Sequence, residues 1–427
     1  MPANFNSKKG VASRMKTNLK RIKNHIENLS QFNSNQGAGL TRFSFTKAEQ
    51  QARSYLKAEL NKLGLEVSED PAASILGRLP GNNPEAPVIM IGSHYDSVKN
   101  GGNFDGPAGV VMALEIMTVL VENDFQNDYP VEFIAMIEEE GGRFGSGVFG
   151  SRAMTGQVSQ QELLNNKDQA NISMAAAMTK AGFDPAKIEQ AVRRSEDLKA
   201  FIELHIEQGP ILESEGQDVG LVEFVVGINE FKVKLSGRPD HAGTTPMTMR
   251  QDALLTASQT IAHLKDLALT VGSETVATCG QLTVKPGAAN IVPAAVEFTI
   301  DLRSKSAEAL AEIKTKFIQL LKNTAAANDV SWELEEMLQV EPVELSAEIR
   351  KNFAQLAAEH DISYRRMTSG AGHDAMIMAA LTEVGLIFVP SHNGRSHCPE
   401  EWTDYADLQK GIELIYHTVE RMAKVDE

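Results

Sequence analysis

The sequence predicts an α/β fold, a layered sheet domain into which a smaller α+β open-faced sandwich is inserted. Three observations predict it. Short apolar runs at 88–91, 131–137, 200–204 and 385–389 read as buried strands and alternate with helix-patterned stretches, the signature of helices layered on a sheet. Between about 214 and 329 the order changes to strand, helix, strand, strand, helix, strand, which makes a self-contained sandwich. After it the alternating pattern resumes, so the larger domain is expected in two pieces, 1–213 and 330–427, around a 214–329 insertion.

The first element is a basic amphipathic helix. The first 23 residues of the chain carry seven Lys or Arg and no acid, yet Val11, Met15, Leu19, Ile22, Ile26 and Leu29 recur at helical spacing, which favours a core-facing stripe over a transit peptide. A second helix spans 50–65, with Ala52, Tyr55, Leu56, Leu60 and Leu63 on one side and Gly64 as its stop. Strands are expected next at 73–79 and, after the turn-rich GNNPEAP, at 88–91; 106–121 has helical composition. The insertion is expected to hold strands at 222–226 and 230–235, a helix over 251–267, strands at 274–282 and 296–302, a helix over 306–321 and a strand at 331–335. Helices at 347–359 and 374–380 precede the strand at 385–389.

Composition narrows the class. A chain of 427 residues predicts two to three domains with a core large enough to need no metal or disulfide, so any metal site needs a chemical reason. With 41 basic against 57 acidic residues the net charge is −16, which argues against a nucleic-acid partner. Cys279 and Cys398 make no disulfide framework and read as reduced thiols of a cytoplasmic protein. No membrane span is expected, since the longest candidate, 110–121, is interrupted by Glu115.

The chemistry lies in the residues immediately after each buried strand. Residues 88–91 lead into Gly92, Ser93, His94, Tyr95 and Asp96; 131–137 into Glu138, Glu139 and Glu140; 200–204 into His205 and Gln208; and 385–389 toward His392 and His397. Ligands of open α/β sheets bind at the carboxyl ends of strands, so these groups can converge on one crevice. An H-x-D tripeptide can supply a metal-binding imidazole and the carboxylate that orients it. Asp105 stands among glycines just before a helix, as an N-cap or as a carboxylate bridging two divalent ions. Three consecutive glutamates repel one another unless cations or protons compensate; one binding metal while its neighbour acts as general base would relieve this. Imidazole and carboxylate ligands suit Zn, Mn, Co or Ni without favouring one. A serine hydrolase finds no G-x-S-x-G elbow to support it, and phosphate-loop and dinucleotide fingerprints are absent from the sequence.

GSHYDSVKNGGNFDGPAGV, EEEGGRFGSGVFGSRAMTG, ELHIEQGPILE, GRPDHAGTTPMTMRQDAL, GAANIVP followed by DLR, SGAGHDA and SHNGRSHCPEEW occur in order over nearly the whole chain. Together they resemble the amidase, hydantoinase and carbamoylase branch of the dinuclear aminoacylase-like metallohydrolases, which contains N-carbamoyl-L-amino-acid hydrolases, β-ureidopropionases and allantoate amidohydrolases. The resemblance implies an aminopeptidase-like three-layer catalytic domain, an inserted lid, and a homodimer formed largely through the lids. It implies two divalent ions per subunit, one on His94 and His205, the other on Glu140 and His397, with Asp105 bridging. Glu139 is then the general base and Asp96 the partner of His94. Related peptidases usually present a carboxylate where this chain has His205.

The same resemblance assigns the substrate groups. Arg303 would pair with a substrate carboxylate, a task its planar guanidinium suits, and Asn290 would hydrogen-bond near it. His241 would reach the neighbouring active site across the dimer and stabilise the oxyanion. Gln208 and the loop with Gly370, Gly372 and His373 would line the pocket. The implied reaction is removal of the carbamoyl group from an N-carbamoyl-L-amino acid; allantoate or N-carbamoyl-β-alanine hydrolysis are the alternatives, ahead of a peptidase or a non-catalytic binding module.

Overall fold

The computed structural model describes residues 16–425 apart from Gln36, Ala38 and Ser273. Val11 and Met15 of the expected first helix lie outside the described residues. The chain separates into two units, one running through Glu223 and taking in Leu345–Met367 and His373–Glu427, the other comprising Phe224–Glu344 and Thr368–Gly372.

In chain order the strands are β1 (Glu66–Glu69), β2 (Ile75–Leu79), β3 (Val88–His94), β4 (Val131–Met136), β5 (Leu198–Ile206) and β6 (Val219–Val225). Next come β7 (Gly227–Ser236), β8 (Val276–Lys285), β9 (Ala295–Ser304) and β10 (Ser331–Val340), then β11 (Val343–Glu344), β12 (Tyr364–Ser369) and β13 (Glu383–Val389). The sheet of the larger unit has the order β1-β2-β4-β3-β5-β13-β6. Its middle four strands, β4, β3, β5 and β13, run parallel to one another, whereas β1, β2 and β6 pair antiparallel. Every residue of β3 and β4 is buried, as expected for apolar strands covered on both faces.

Helix α1 (Leu19–Ser30) is capped by the Asn18 side chain and buries Ile22, His25, Ile26 and Leu29; Leu19, expected on the same stripe, is instead 41% exposed. Helix α2 (Lys47–Lys62) begins on the Thr46 cap, and Gly64 lies just beyond its end at a φ of 73°. Helix α3 (Pro107–Glu122) is buried from Pro107 to Leu120, Glu115 included. That carboxylate is accommodated because Arg21 of α1 meets it at 2.6 Å and the Asn18 N–H donates to it at 2.7 Å. A buried charge so paired avoids the cost of an uncompensated one. The amphipathic helix Tyr405–Met422, which the strand and helix expectations did not include, completes this layer with Leu408, Ile412, Ile415 and Val419 buried.

The smaller unit is an antiparallel sheet of order β10-β7-β9-β8 carrying the helices Ala253–Ala262, Leu264–Val271 and Ala307–Ala327. Its core is built from Phe231, Val233, Phe298, Ile300, Ile313 and Phe317. The strand and helix order is the expected one, but the single helix over 251–267 is two, meeting at His263. The ends of the insertion also differ. Residues 219–223 of β6, which the 214–329 bounds placed in the lid, pair with β13 in the large sheet, and the strand 331–340, expected in the sandwich by its pattern but left outside the bound at 329, pairs with β7. Among the described residues no helix is long and apolar enough to cross a membrane.

Candidate metal centre

The four parallel strands deliver their carboxyl ends to one edge. His94 is the last residue of β3, Glu138 to Glu140 come just after β4, His205 is the next-to-last residue of β5, and His397 lies in the loop after β13. Asp105 does not cap α3; the cap position is Gly106, which makes no side-chain cap bond. Gly106 has a φ of 80°, and a Cβ there would fall 2.3 Å from the His94 ring, so only glycine lets this turn pass the imidazole. Freed from capping, the Asp105 carboxylate splits between two sets of imidazoles. Its Oδ1 is 3.1 Å from His205 Nε2 and 3.7 Å from His94 Nε2, and its Oδ2 is 3.1 Å from His397 Nε2.

Glu140 Oε2 stands 3.5 Å from His397 Nε2, and Glu139 Oε2 stands 3.6 Å from His94 Nε2. Three overlapping groups result: His94, Asp105 and His205; Asp105, Glu140 and His397; and His94, Glu139 and Glu140, each with ligand atoms within 4.8 Å of one another. Both ring nitrogens of His94 and Oε1 of Glu140 are buried without a hydrogen-bond partner. Buried polar atoms are rarely left so, and a divalent cation among these donors is what would satisfy them. His205 Nδ1 lies 2.9 Å from the Ile206 carbonyl, which holds a proton on Nδ1; Nε2 faces Asp105, to which it donates when protonated and beside which its lone pair can serve a metal ion. The site can hold a metal ion of the kind that takes mixed nitrogen and oxygen ligands.

Electrostatics agree with that donor set. Burial, reinforced by Glu140, Asp374 and Asp96 and opposed by His94, pushes the Glu139 carboxyl well above the usual range. Burial and repulsion from Asp105 push Glu140 to about 7. Burial works against ionised Asp105, but hydrogen bonds from His205 and His397 hold it well below the usual carboxylate range. Asp96 is 3.5 Å from His94 Nδ1 and accepts the N–H groups of Glu139 (3.1 Å) and Glu140 (3.3 Å), so one carboxylate aims both the imidazole and the acidic turn. Glu138 is turned away at a φ of 54° and accepts the N–H groups of Arg143 and Phe144.

The remaining expected residues fall in two places. The Gln208 amide donates to Asp105 Oδ2 at 2.8 Å, directly on the donor cluster. His373 is buried and packs edge-on against His205 with ring centres 4.5 Å apart, as a wall behind that imidazole. In the smaller unit Arg303 directs Nε and Nη2 to Asp301 and donates from Nη1 to the Gly370 carbonyl at 2.7 Å, in the loop that also holds Gly372. His241 is exposed; its Nδ1 accepts the N–H groups of Gly243 and Thr244, leaving Nε2–H as an outward donor. The segments of His241 and Asn290 are paired, with Ala242 N–H donating to the Asn290 carbonyl at 3.0 Å. Arg303 and Asn290 are not neighbours within the unit. Asn290 precedes Ala295 at the start of β9, Arg303 sits eight residues further along that strand, and about 3.3 Å per residue separates the two ends by roughly 26 Å.

Residues 90–421 match the model of the Peptidase family M20/M25/M40, well over half of the chain. The chain belongs to that family. It is 44% identical over 407 residues to the N-carbamoyl-L-amino-acid amidohydrolase of Paenarthrobacter aurescens, covering 95% of this chain and 98% of that one. It is 34% identical to the allantoate amidohydrolase of Bacillus subtilis, covering 94% of this chain and 97% of that one. Among solved structures, a hydantoinase/carbamoylase family amidase from Burkholderia multivorans superposes with a TM-score of 0.88 at 28% identity, over 96% of this chain and 98% of that one.

This family member carries further groups around the site that the motifs did not single out. Glu203, fully buried, accepts the Ser93 hydroxyl at 2.6 Å and the Ala375 N–H at 2.9 Å; Asp374 accepts the Ser151 hydroxyl at 2.6 Å. Glu203 had a signal, since it is two residues before His205 on a strand and shares its face. Glu401 and Ser396 contact the Asp105 loop across almost 300 positions of sequence, and nothing local announces that pairing.

Proposed function

We propose that the protein is a metal-dependent amidohydrolase that removes the carbamoyl group from N-carbamoyl-L-amino acids. The observation that carries this reading is an intact imidazole and carboxylate donor set, with the half-buried Glu139 among its carboxylates, in a chain 44% identical over 95% of its length to a carbamoyl amino acid amidohydrolase. One ion is assigned to His94 and His205 and a second to Glu140 and His397, with Asp105 between them; Zn, Mn, Co and Ni all suit these ligands. When bound, such ions polarise a carbonyl and lower the pKa of water.

The chain's own residues carry the proton transfers and the recognition. Glu139, whose burial raises its proton affinity, takes the proton of the attacking water and returns it to the leaving nitrogen. Water adds to the ureido carbonyl, the C–N bond to the amino acid breaks, and the carbamic acid released divides into ammonia and carbon dioxide. Asp96 holds His94 and the Glu139 turn in place. Arg303, fixed by Asp301, takes the substrate carboxylate with its remaining Nη hydrogens, and Gln208, Gly370, Gly372 and His373 shape the pocket. His241, with Asn290 at its side, donates from Nε2–H to the developing oxyanion. The protein works as a homodimer through its lids, a reading supported by the length of β9, which keeps His241 and Asn290 away from the Arg303 of their own chain.

The second reading is allantoate hydrolysis, favoured by 34% identity to the Bacillus subtilis enzyme. Metal-free protein reloaded with each of Zn, Mn, Co and Ni, and assayed for ammonia release from N-carbamoyl-L-amino acids, N-carbamoyl-β-alanine and allantoate, decides between them. The carbamoyl-L-amino acids are expected to have the highest kcat/KM. Glu139→Gln is expected to bind metal and lose about 10²- to 10⁴-fold in kcat. Release from none of the substrates refutes the proposal, and an active Glu139→Gln enzyme refutes the base.

A further inference from the structure

We propose that Glu401 is a positioning residue of the metal centre, a carboxylate clamp that ties the loop carrying Asp105 to the loop carrying His397. The inference rests on the assignment of those two residues as metal ligands. Glu401 is 4% exposed and commits both oxygens to these loops. Its Oε1 accepts the backbone N–H groups of Phe104 and Asp105, each at 3.0 Å. Its Oε2 lies 2.9 Å from the Ser396 hydroxyl, which is itself 2.9 Å from Asp105 Oδ2. One side chain therefore holds the main chain of Asp105 directly, reaches its carboxylate through Ser396, and anchors the residue immediately before His397. The Asp105 loop is pressed onto the clamp, since a Cβ at Gly102 would fall 2.2 Å from Glu401 Oε1.

Glu401 belongs to none of the three ligand groups, so it acts on the ions through Asp105 and His397. Without it, two buried N–H groups lose their acceptor and the Asp105 loop is free to relax, so the two ligands no longer stand at fixed separation. Groups that orient ligands in this way typically carry about 10- to 100-fold in metal affinity.

The test titrates metal-free protein with Zn2+ alone against a chromogenic chelator, without substrate. Glu401→Ala is expected to weaken binding by about 10- to 100-fold. Glu401→Gln is expected to restore it to near the wild-type value, because its amide oxygen still accepts the two N–H groups and its NH2 still meets Ser396. Gly102→Ala, which pushes the clamp aside, should follow Glu401→Ala. Wild-type affinity in Glu401→Ala overturns the clamp, as does a Glu401→Gln protein as weak as the alanine variant, which would make the charge alone responsible. If Glu401→Ala does not fold, Ser396→Ala breaks the same bridge with a smaller lesion; weakened binding is expected, and unchanged binding overturns the proposal. Wild-type protein that binds no Zn2+ overturns the ligand assignment and the clamp with it, whereas loss of only the carbamoyl activity leaves both standing.

Discussion

Replacing Gly106 by alanine probes the tightest approach in the site. The added Cβ would lie 2.3 Å from Cε1 and 2.4 Å from Nδ1 of His94, so the ring must withdraw by about 1 Å to reach ordinary van der Waals contact. The ring has no room, being 1% exposed between Asp96, Asp105 and His205. Alanine also incurs the strain of a φ of 80°, about 1–3 kcal/mol for a non-glycine residue in such a region. A displacement of about 1 Å in a positioned catalytic group costs on the order of 10²-fold in rate. Gly145 supplies the control, because its φ is 78° and nothing lies within 4 Å of its Cβ position. Gly145→Ala should lose stability comparable to the backbone part alone and keep metal affinity and kcat/KM, whereas Gly106→Ala should lose both as well as stability. Denaturant unfolding of the metal-free proteins, Zn2+ titration and initial rates measure the three quantities. Equal kcat/KM in the two variants would refute the reasoning that the Gly106 turn holds His94 at its working distance.

Two further perturbations test other parts of the molecule. Arg303→Lys cannot keep both the Asp301 fork and the Gly370 contact, and KM for carbamoyl amino acids should rise by about 10- to 100-fold, the worth of about 1.5–3 kcal/mol in a charged hydrogen bond, with a smaller change in kcat; an unchanged KM removes Arg303 from carboxylate recognition. His417 lies between Glu413 (3.3 Å) and Glu420 (3.0 Å), and although burial opposes its charge, these carboxylates raise it to about 9. A raised imidazole contributes its full stability below its unfolded pKa of about 6.5 and loses it as pH climbs through the folded value. The stability gap between wild type and His417→Gln should therefore narrow by about 1–2 kcal/mol between pH 6.5 and 9.5, after allowance for solvent screening; a gap independent of pH sinks the prediction.

Much of the site was legible because most of its candidate metal-binding residues lie at or just after the ends of apolar strands too short and too uniform to be anything but buried. The runs at 88–91, 131–137 and 200–204 became β3, β4 and β5 with their polar successors on one edge. The illegible parts depend on pairing between distant segments. The apolar residues of 219–225 say that a strand is buried but not in which sheet, and β6 joined β13 of the large sheet, with Leu221 opposite Ile387, 166 positions away. Helical periodicity runs unbroken through His263, and no Gly or Pro marks the break there. Glu115 looked like an interruption of an apolar stretch because its partner Arg21 sits on another helix. The helix Tyr405–Met422 is a different case, since Leu408, Ile412, Ile415 and Val419 carry its spacing in plain view. The position of Asn290 relative to Arg303 turned on which end of a hairpin each occupies, which no motif reports.

The ten residues of β9 act as a spacer as well as a strand, with the guanidinium near one end and the paired segments of His241 and Asn290 beyond the other. If the proposed dimer forms, with each lid serving two active sites, lesions at the two ends are separable between chains. A mixed dimer of Arg303→Ala and His241→Ala subunits would collect both defects in one active site and leave the other whole, so two inactive proteins combined would regain activity toward half of the native level.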